Sequence, residues 1–467
     1  MIARTILFVM ACGILLAQSP AVKLPPFTKK TLANGATLIL IEKPDVPLVT
    51  LRAIFRGGGE AVPAGQAGLA PITAELLRRG TSSMTAEQIN GKLDSLGARL
   101  ETAATPGATF VAIEYMKRNQ DASLAMFEEI VLHPSFPASE FTKSLAQAID
   151  NARSVKDDPG DAIGQYWGPF FFPAGHPYHA PLPGDELTLA SLKREHVLAY
   201  HKKVFTGRNL ILIAAGDLSA SSLGPRLEKI ASALLAGEEH KPRQAAPVRF
   251  DSPRLLLIDK PDATQTYFMI GWPGLARTDQ DRTAVQVINT LFGGRFTSML
   301  NDELRVNSGL TYGARSRFDE ERLPGSVFIS TYTKLDSTVR AIDLALDLLA
   351  RLRTKGITAE QLLSARNYIK GRFPTEELET ADKLAGILGD IELFELNKGE
   401  VDDYYSRLDS LTLDQVNAAA RKWYCNDNLQ FLLIGPAAKI REQVKKYAPK
   451  VKVHPITQPG LRAPAFD

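Results

Sequence analysis

Two distant segments of the chain match each other without gaps, and this match constrains the fold more than any other feature. Residues 189–216 align with residues 408–435 at a constant offset, and each segment predicts a helix, a short turn and an apolar strand. The identical pairs are Leu189/Leu408, Ser191/Ser410, Leu192/Leu411, Val197/Val416, Ala199/Ala418, Lys203/Lys422, Asn209/Asn428, Leu210/Leu429 and Gly216/Gly435. Chance does not place so many identities in register. The chain is therefore predicted to contain two homologous halves with approximate internal symmetry.

The chain length and one polar segment indicate where the halves begin and end. A chain of 467 residues exceeds what a single hydrophobic core usually organises. The segment 240–248 contains a polar Lys-Pro-Arg-Gln sequence that starts at Lys241 and is typical of a linker. We therefore expect a first domain at 26–240, a second domain at 248–450 and a C-terminal tail at 451–467.

The spacing of apolar residues predicts the same order of elements in both halves. In each half, two strands precede two helices, two further strands follow, and long helices come next. In the second half, a helix over 297–306 is expected to end before a strand over 311–317. Strand pairs mixed with helix pairs predict an α+β fold with two homologous domains, each a mostly antiparallel sheet covered by helices.

The N-terminus is predicted to be a signal peptide over residues 1–21. One basic residue, Arg4, precedes the apolar run 6–16, and small and polar residues follow. This run is shorter than the roughly 20 residues of a membrane-spanning helix, and no later segment is apolar for long enough. Cys12 lies inside the run, and the apolar residues beyond it argue against a lipoprotein anchor. We therefore expect export, with the periplasm as the destination.

Composition argues against two features, a nucleic-acid partner and disulfide bonds. The chain has 55 basic and 52 acidic residues, a formal net charge of +3, spread along its whole length. Proteins that bind phosphate backbones usually concentrate basic residues on one surface. After removal of the signal peptide Cys425 is the only cysteine, so the exported chain must be stabilised by its core alone.

Short motifs follow one another in a characteristic order from Leu32-Ala33-Asn34-Gly35 to Gly309-Leu310-Thr311-Tyr312. The motifs between them are Gly57-Gly58-Gly59, Gly68-Leu69-Ala70, Gly80-Thr81, Leu96-Gly97-Ala98, Asp157-Asp158-Pro159 and His176-Pro177-Tyr178. This order resembles that of the pitrilysin/insulinase (inverzincin) peptidases, especially their smaller bacterial members that are similar to mitochondrial processing peptidases. The resemblance covers about residues 26–447 and implies the two-domain fold of that family and a part in proteolysis.

The zinc motif that the resemblance implies is missing. Active members of the family carry H-x-x-E-H on the first helix, where two histidines bind zinc and the glutamate acts on the zinc-bound water. Here the histidine positions are Pro71 and Glu75, and the glutamate position is Ala74. The helix that should supply a third ligand, a glutamate, has Ala-Ile-Asp-Asn-Ala at 148–152. We therefore expect no zinc or other cofactor in this chain and expect zinc in a homologous partner.

His176 and His179 could be considered for a different metal site. They flank a proline and a tyrosine in a segment that separates two predicted helices. A catalytic metal site would also need carboxylate or cysteine ligands, and the neighbouring sequence does not supply them. The pattern favours a turn between helices over a metal site.

Arg305 and Tyr312 are the residues that could take part in catalysis. Gly309 is expected to end the helix that contains Arg305, which places Tyr312 at the start of the next strand and both side chains in one cleft. The resemblance implies that this pair holds the substrate backbone and stabilises the tetrahedral intermediate at a zinc site in another first domain. The alternative is structural: arginine is favoured at a helix C-terminus, and tyrosine commonly begins a strand.

Gly293, Gly294 and Arg295 precede the second-half helix that contains Arg305. Against processing peptidases, this segment resembles a glycine-rich loop that contacts substrate. A glycine turn that simply enters a helix is the alternative, because two adjacent glycines are weak evidence for a binding site.

Three hypotheses follow from the sequence. In the first, the chain is the non-zinc subunit of a heterodimeric metallopeptidase and supplies the Arg/Tyr pair to a zinc-bearing partner that cleaves peptides. In the second, it is a structural or assembly protein of the same fold with no part in catalysis. In the third, it is an independently active zinc endopeptidase, which would have to bind about one zinc per chain.

Overall fold

The computed structural model describes residues 22–466. The predicted signal peptide and Cys12 lie outside this range. The described residues form two six-stranded sheets with helices against them, which confirms the predicted α+β fold with two homologous domains. Within the same range, no helix is both long enough and apolar enough to cross a lipid bilayer.

The first half contains the sheet that begins near the N-terminus. Its strands are Phe27–Thr31 (β1), Thr37–Glu42 (β2), Leu48–Arg56 (β3), Arg99–Ala104 (β4), Ala108–Met116 (β5) and Leu210–Gly216 (β6). Its helices are Leu69–Leu77 (α1), Ala86–Leu96 (α2), Gln120–Leu132 (α3), Ala138–Ser154 (α4), Pro159–Phe171 (α5), Glu186–Ala190 (α6), Arg194–Val204 (α7) and Ala220–Ser232 (α8). This order follows the predicted one, except that the sequence analysis did not predict β1.

The second half repeats that order with different ends. Its strands are Arg254–Asp259 (β7), Gln265–Pro273 (β8), Ala314–Phe318 (β9), Ser326–Lys334 (β10), Gln430–Gly435 (β11) and Lys450–Pro455 (β12). Its helices are Arg282–Asn289 (α9), Met299–Asn301 (α10), Thr338–Lys355 (α11), Ala359–Glu377 (α12), Ala381–Leu393 (α13), Gly399–Asp402 (α14), Tyr404–Ser410 (α15), Leu413–Trp423 (α16) and Ala437–Val444 (α17). The segments Thr290–Gly294 and Asp302–Asn307 are π-helical.

The two sheets have matching strand orders, as the sequence repeat predicts. The first is β1-β2-β6-β3-β5-β4 and the second is β12-β7-β11-β8-β10-β9. The repeated strands β6 and β11 lie inside their sheets, parallel to β2 and β7 and antiparallel to β3 and β8. The edge strands β1 and β12 break the symmetry: β1 is antiparallel and comes from the N-terminus, whereas β12 is parallel and comes from the segment predicted as a tail.

Several of these helices start at a capping motif that is visible in the sequence. At the starts of α2, α12 and α16, a threonine hydroxyl accepts a hydrogen bond from the backbone N–H three residues later. The residue at that later position is a glutamine, and its side-chain oxygen accepts a hydrogen bond from the threonine N–H. Such reciprocal bonds satisfy donors that the first helical turn leaves free. The pairs are Thr85/Gln88, Thr358/Gln361 and Thr412/Gln415.

The two halves exchange one helix each. Helix α5 of the first half packs on the second sheet, where Trp167 and Phe170 meet strand residues such as Met269. Helix α13 of the second half packs on the first sheet, where Leu384 and Leu388 meet strand residues. Each sheet is thus covered by its own helices on one face and by a helix of the other half on the opposite face. The halves are therefore joined by apolar contacts as well as by their linker.

Candidate functional site

The positions of the lost zinc motif lie in a cavity between α1 and α4. The cavity has a volume of about 500 Å³, and its lining includes Pro71 and Glu75 of α1 and Ala148 and Asn151 of α4. The structure therefore brings together the two helix segments that the family resemblance pairs as a metal site. Pro71 and Glu75, which stand at the two histidine positions, lie on the side of α1 that lines this cavity.

The side chains in this cavity do not form a zinc site. Pro71 is tolerated because it lies in the first turn of α1, where its missing N–H would have no helical partner. Ala74 is fully buried, and Glu75 pairs at 2.5 Å with Arg79, which lies just past the end of α1. Asp150, the carboxylate of the α4 segment, is exposed and lies 3.5 Å from an arginine of its own helix. Among residues 22–466, no group of three histidine, cysteine, aspartate or glutamate residues could hold a metal ion.

The C-terminal segment reaches the same cavity from the second half. Leu461 is 2% exposed and lines the cavity, and its backbone N–H donates to Asp185 Oδ2 at 3.1 Å. The Lys156 ammonium donates to the Gln458 carbonyl at 2.9 Å and to Glu186 at 2.6 Å. These contacts between distant segments have no local sequence signal, and sequence reasoning did not find them.

The structure brings Arg305 and Tyr312 into direct contact. The Arg305 guanidinium lies 4.5 Å from the centre of the Tyr312 ring, within the distance of a cation–π interaction. Tyr312 is 74% exposed, so its hydroxyl is not held in the core of its own domain. A tyrosine that served strand packing would be buried, and this exposure argues against the structural alternative for Tyr312.

The local backbone differs from the predicted one around this pair. Arg305 lies in the π-helical segment that follows α10, and Gly309, with a φ of +60°, donates its N–H to the Arg305 carbonyl. The predicted strand start at residue 311 is wrong, because β9 begins at Ala314. The Thr311 hydroxyl instead closes a tight turn by bonding to both the N–H and the carbonyl of Gly313. Tyr312 is therefore presented by a turn.

A third side chain, Phe296, belongs to this pair. Its ring lies 4.7 Å from the Arg305 guanidinium, on which Tyr312 also stacks, and it is 65% exposed. Stacking on two rings restricts the planar guanidinium and leaves its N–H edges available for hydrogen bonds. Sequence reasoning missed Phe296; its position directly after the glycine turn was the signal that could have found it.

The glycine turn has a structural part and an exposed part. A Cβ on Gly293 would lie 2.2 Å from the Ser316 backbone nitrogen, so this glycine allows the turn to approach β9. Gly294 is exposed, and Arg295 donates to the Ser364 hydroxyl at 3.0 Å. The turn thus presents Arg295 beside Phe296, while helix entry is provided separately by Ser298, which caps α10.

His176 and His179 lie in the turn after α5, next to a cavity of about 500 Å³ between the two halves. His176 is 7% exposed and stacks on Phe172, and burial together with His179 lowers its pKa. His179 Nδ1 lies 2.8 Å from the Phe172 carbonyl. Both imidazoles are therefore engaged in the packing of the turn. The opposite wall of the cavity includes Glu321 of the second half.

Glu321 should make the stability of the chain depend on pH. Burial raises its pKa to about 7, and the carboxylates of Asp319, Glu60 and Asp390 act in the same direction. A glutamate in the unfolded chain has a pKa of about 4.3, so the folded state binds the Glu321 proton more tightly. The proton on Glu321 therefore stabilises the folded state fully at pH values below the pKa of the unfolded chain. This contribution is lost as the pH rises through about 7.

The free energy of unfolding of the wild type should fall between about pH 5 and pH 8. We expect this fall to be smaller in Glu321→Gln, by on the order of 2 kcal/mol. Urea titrations at several pH values measure this loss. Glu87→Gln, which changes an exposed glutamate on α2, is the control. Parallel pH profiles for wild type and Glu321→Gln would contradict the assignment.

The fold and the substituted zinc-motif positions define a peptidase-like chain in which residues 22–466 contain no group of metal ligands. Residues 37–164 match the family described as "Insulinase (Peptidase family M16)", and residues 191–369 match "Peptidase M16 inactive domain". Together these matches cover more than half of the chain. The chain belongs to the M16 (insulinase) peptidase family, which confirms the resemblance found in the sequence.

Similar proteins occur in several bacteria. An uncharacterised zinc protease of Mycobacterium leprae is 22% identical over 90% of this chain and 94% of that protein. The non-peptidase homologue YmxG of Helicobacter pylori is 23% identical over 73% of this chain and 78% of that protein. The crystal structure of a peptidase M16 inactive domain from Pseudomonas fluorescens has a TM-score of 0.82 and 25% identity, over 88% of this chain and 98% of that chain.

Proposed function

We propose that the chain is the non-zinc subunit of a heterodimeric M16 metallopeptidase that cleaves peptides. Its second domain supplies Arg305 and Tyr312 to a cleft whose zinc is held by the first domain of a homologous partner. One contrast carries the proposal. The two histidine positions of the zinc motif hold Pro71 and Glu75 and its glutamate position holds Ala74, whereas Arg305 and Tyr312 are both present and in contact, with Tyr312 exposed.

The two side chains are suited to different parts of the task. The Tyr312 hydroxyl can donate a hydrogen bond to an oxyanion that develops on the substrate carbonyl, and the Arg305 guanidinium can bind carbonyl oxygens of the peptide backbone. Zinc in the partner would supply an activated water. Because Phe296 and Tyr312 both stack on the guanidinium, Arg305 would reach the substrate with little loss of side-chain freedom.

We also propose that the heterodimer acts outside the cytoplasm. The basic residue, short apolar run and small residues at the N-terminus support export to the periplasm. The zinc-bearing partner should then carry its own export signal. A neighbouring reading frame that encodes an H-x-x-E-H homologue with such a signal is the first candidate.

Reconstitution tests this function. The chain and the zinc-bearing homologue are purified separately and assayed alone and together on a fluorogenic peptide library. We expect hydrolysis by the pair and little by either chain alone, and we expect it to disappear when the glutamate of the partner's H-x-x-E-H motif is replaced by glutamine. Partner activity that does not change when this chain is omitted would contradict the proposal.

A second candidate is a structural or assembly protein without a part in catalysis. It is favoured by the position of Leu461, which lies against the cavity between α1 and α4, where the cleft of an active subunit would need access. The name of the Helicobacter pylori relative, a non-peptidase homologue, points the same way. Normal peptide hydrolysis by the partner in the absence of this chain would favour this candidate.

A further inference from the structure

The second half contains a groove that corresponds to the degenerate cavity of the first. It lies between α9 and α12, the counterparts of α1 and α4, and has a volume of about 660 Å³. Volumes of about 300–1,000 Å³ are usual for ligand sites. The groove is richer in arginine than the first cavity. Six arginines line it: Arg277, Arg282, Arg295, Arg315, Arg317 and Arg372.

Three of these arginines are neutralised by carboxylates of the groove. Arg277 and Arg282 share Glu320 at 3.1 and 2.6 Å, and Arg372 pairs with Glu376 of its own helix. The opposite end of the groove from β9 is also lined by Glu377 and Asp390. Burial raises the pKa of both carboxyls, to about 6 for Asp390, and neighbouring carboxylates add to the shift. A ligand carboxylate would be repelled from this end.

The outer end of the groove has unpaired positive charge. Arg315 and Arg317 are exposed at alternate positions of the edge strand β9, so they project from one face of it. Arg295 lies on the adjacent glycine turn, where Tyr368 and the Ser364 hydroxyl hold its guanidinium. Among residues 22–466 none of these three arginines forms a salt bridge with a carboxylate, unlike Arg277, Arg282 and Arg372.

We propose that this outer end binds acidic side chains of a peptide through Arg295, Arg315 and Arg317. Phe296 both lines the groove and stacks on Arg305, so a peptide held by the Arg/Tyr pair can continue into the groove without a gap. The inference rests on the proposed function for the identity of the ligand as a peptide, and it assigns acidic peptides as the preferred substrate class. The near-neutral whole chain, with a net charge of +3, would not attract them by itself.

Direct binding to the isolated full-length mature chain tests this site without a partner. The probe is a fluorescein-labelled peptide of six glutamates with blocked ends, and the comparison is the same peptide with glutamines. At an ionic strength of about 0.02 M, where charge interactions are weakly screened, we expect the glutamate peptide to bind at least about 10-fold more tightly. We expect added salt to remove most of the difference.

Charge reversal locates the site. The double variant Arg315→Glu/Arg317→Glu should weaken glutamate-peptide binding about 10-fold or more, because attraction is replaced by repulsion. The control Arg340→Glu changes an exposed arginine of α11 outside the groove and should leave binding within about 2-fold. All the changed side chains are exposed, so the melting temperature should not change.

Three outcomes would overturn the inference: equal binding of the two peptides, equal weakening by the control variant, or equally tight binding of a short oligothymidylate with the same charge. The first would show that carboxylates are not recognised. The second would place the attraction elsewhere, and the third would favour a general polyanion site. None of these outcomes depends on hydrolysis, so they are independent of the reconstitution test.

Discussion

Tyr312→Phe is expected to lower kcat/KM for peptide hydrolysis by the reconstituted heterodimer about 100-fold, with most of the change in kcat. The substitution removes one hydroxyl from a ring that is 74% exposed and leaves the ring on the Arg305 guanidinium. Folding should therefore be unaffected. The expected loss corresponds to one hydrogen-bond donor aimed at charge that develops only in the transition state.

Two further variants separate this role from a general effect on the domain. Tyr332→Phe removes a hydroxyl from a tyrosine that stacks on Tyr267 in the same half, and it should leave kcat/KM unchanged. Arg305→Lys keeps the charge but loses the planar group that stacks on Phe296, so we expect about a 10-fold loss, seen mainly in KM. Equal rates for wild type and Tyr312→Phe would remove the proposed role of the hydroxyl.

Trp167→Ala is expected to lower the free energy of unfolding by about 3–5 kcal/mol. Trp167 lies on the exchanged helix α5, is 6% exposed and stacks on Phe171 at 5.0 Å. Its indole N–H donates to the Ser326 hydroxyl at 2.9 Å. A Cβ on Gly271 would lie 2.5 Å from the indole ring, so strand β8 fits closely around this side chain. The truncation leaves a cavity between α5 and the second sheet.

Urea unfolding followed by circular dichroism measures this loss, and limited proteolysis shows where the structure opens. We expect the variant to be cut more readily near the linker at 240–248, because α5 joins the two halves. Trp167→Phe keeps most of the apolar contact and should cost about 1–2 kcal/mol. A loss below about 1 kcal/mol for Trp167→Ala would contradict the importance of the exchanged helix.

Local patterns were sufficient to predict the two halves and most of their elements. The repeat at 189–216 and 408–435 predicted matching central strands, and β6 and β11 occupy matching places in the two sheets. Threonine–glutamine caps and apolar spacing act over a few residues, so a sequence displays them directly. The replaced metal positions could be read in the same way, because H-x-x-E-H is a local motif.

Long-range partners could not be predicted. Helix α13 has an apolar face with Leu384 and Leu388, but apolar spacing does not say which sheet covers that face. The approach of Leu461 to the cavity beside Pro71 likewise depends on how the two halves pack together. Phe296 was missed because its contact with Arg305 requires the glycine turn and the π-helical segment to meet in space.

The account depends on the inability of this chain to activate water on a metal of its own. Zinc analysis of the purified chain, combined with a peptide hydrolysis assay, tests this most directly. We expect far less than one zinc per chain and no chelator-sensitive hydrolysis. Pro71 and Glu75 stand where the family has its histidine ligands, and Ala74 stands where it has the catalytic glutamate. Stoichiometric zinc in the isolated chain, with hydrolysis that a chelator abolishes, would contradict the account.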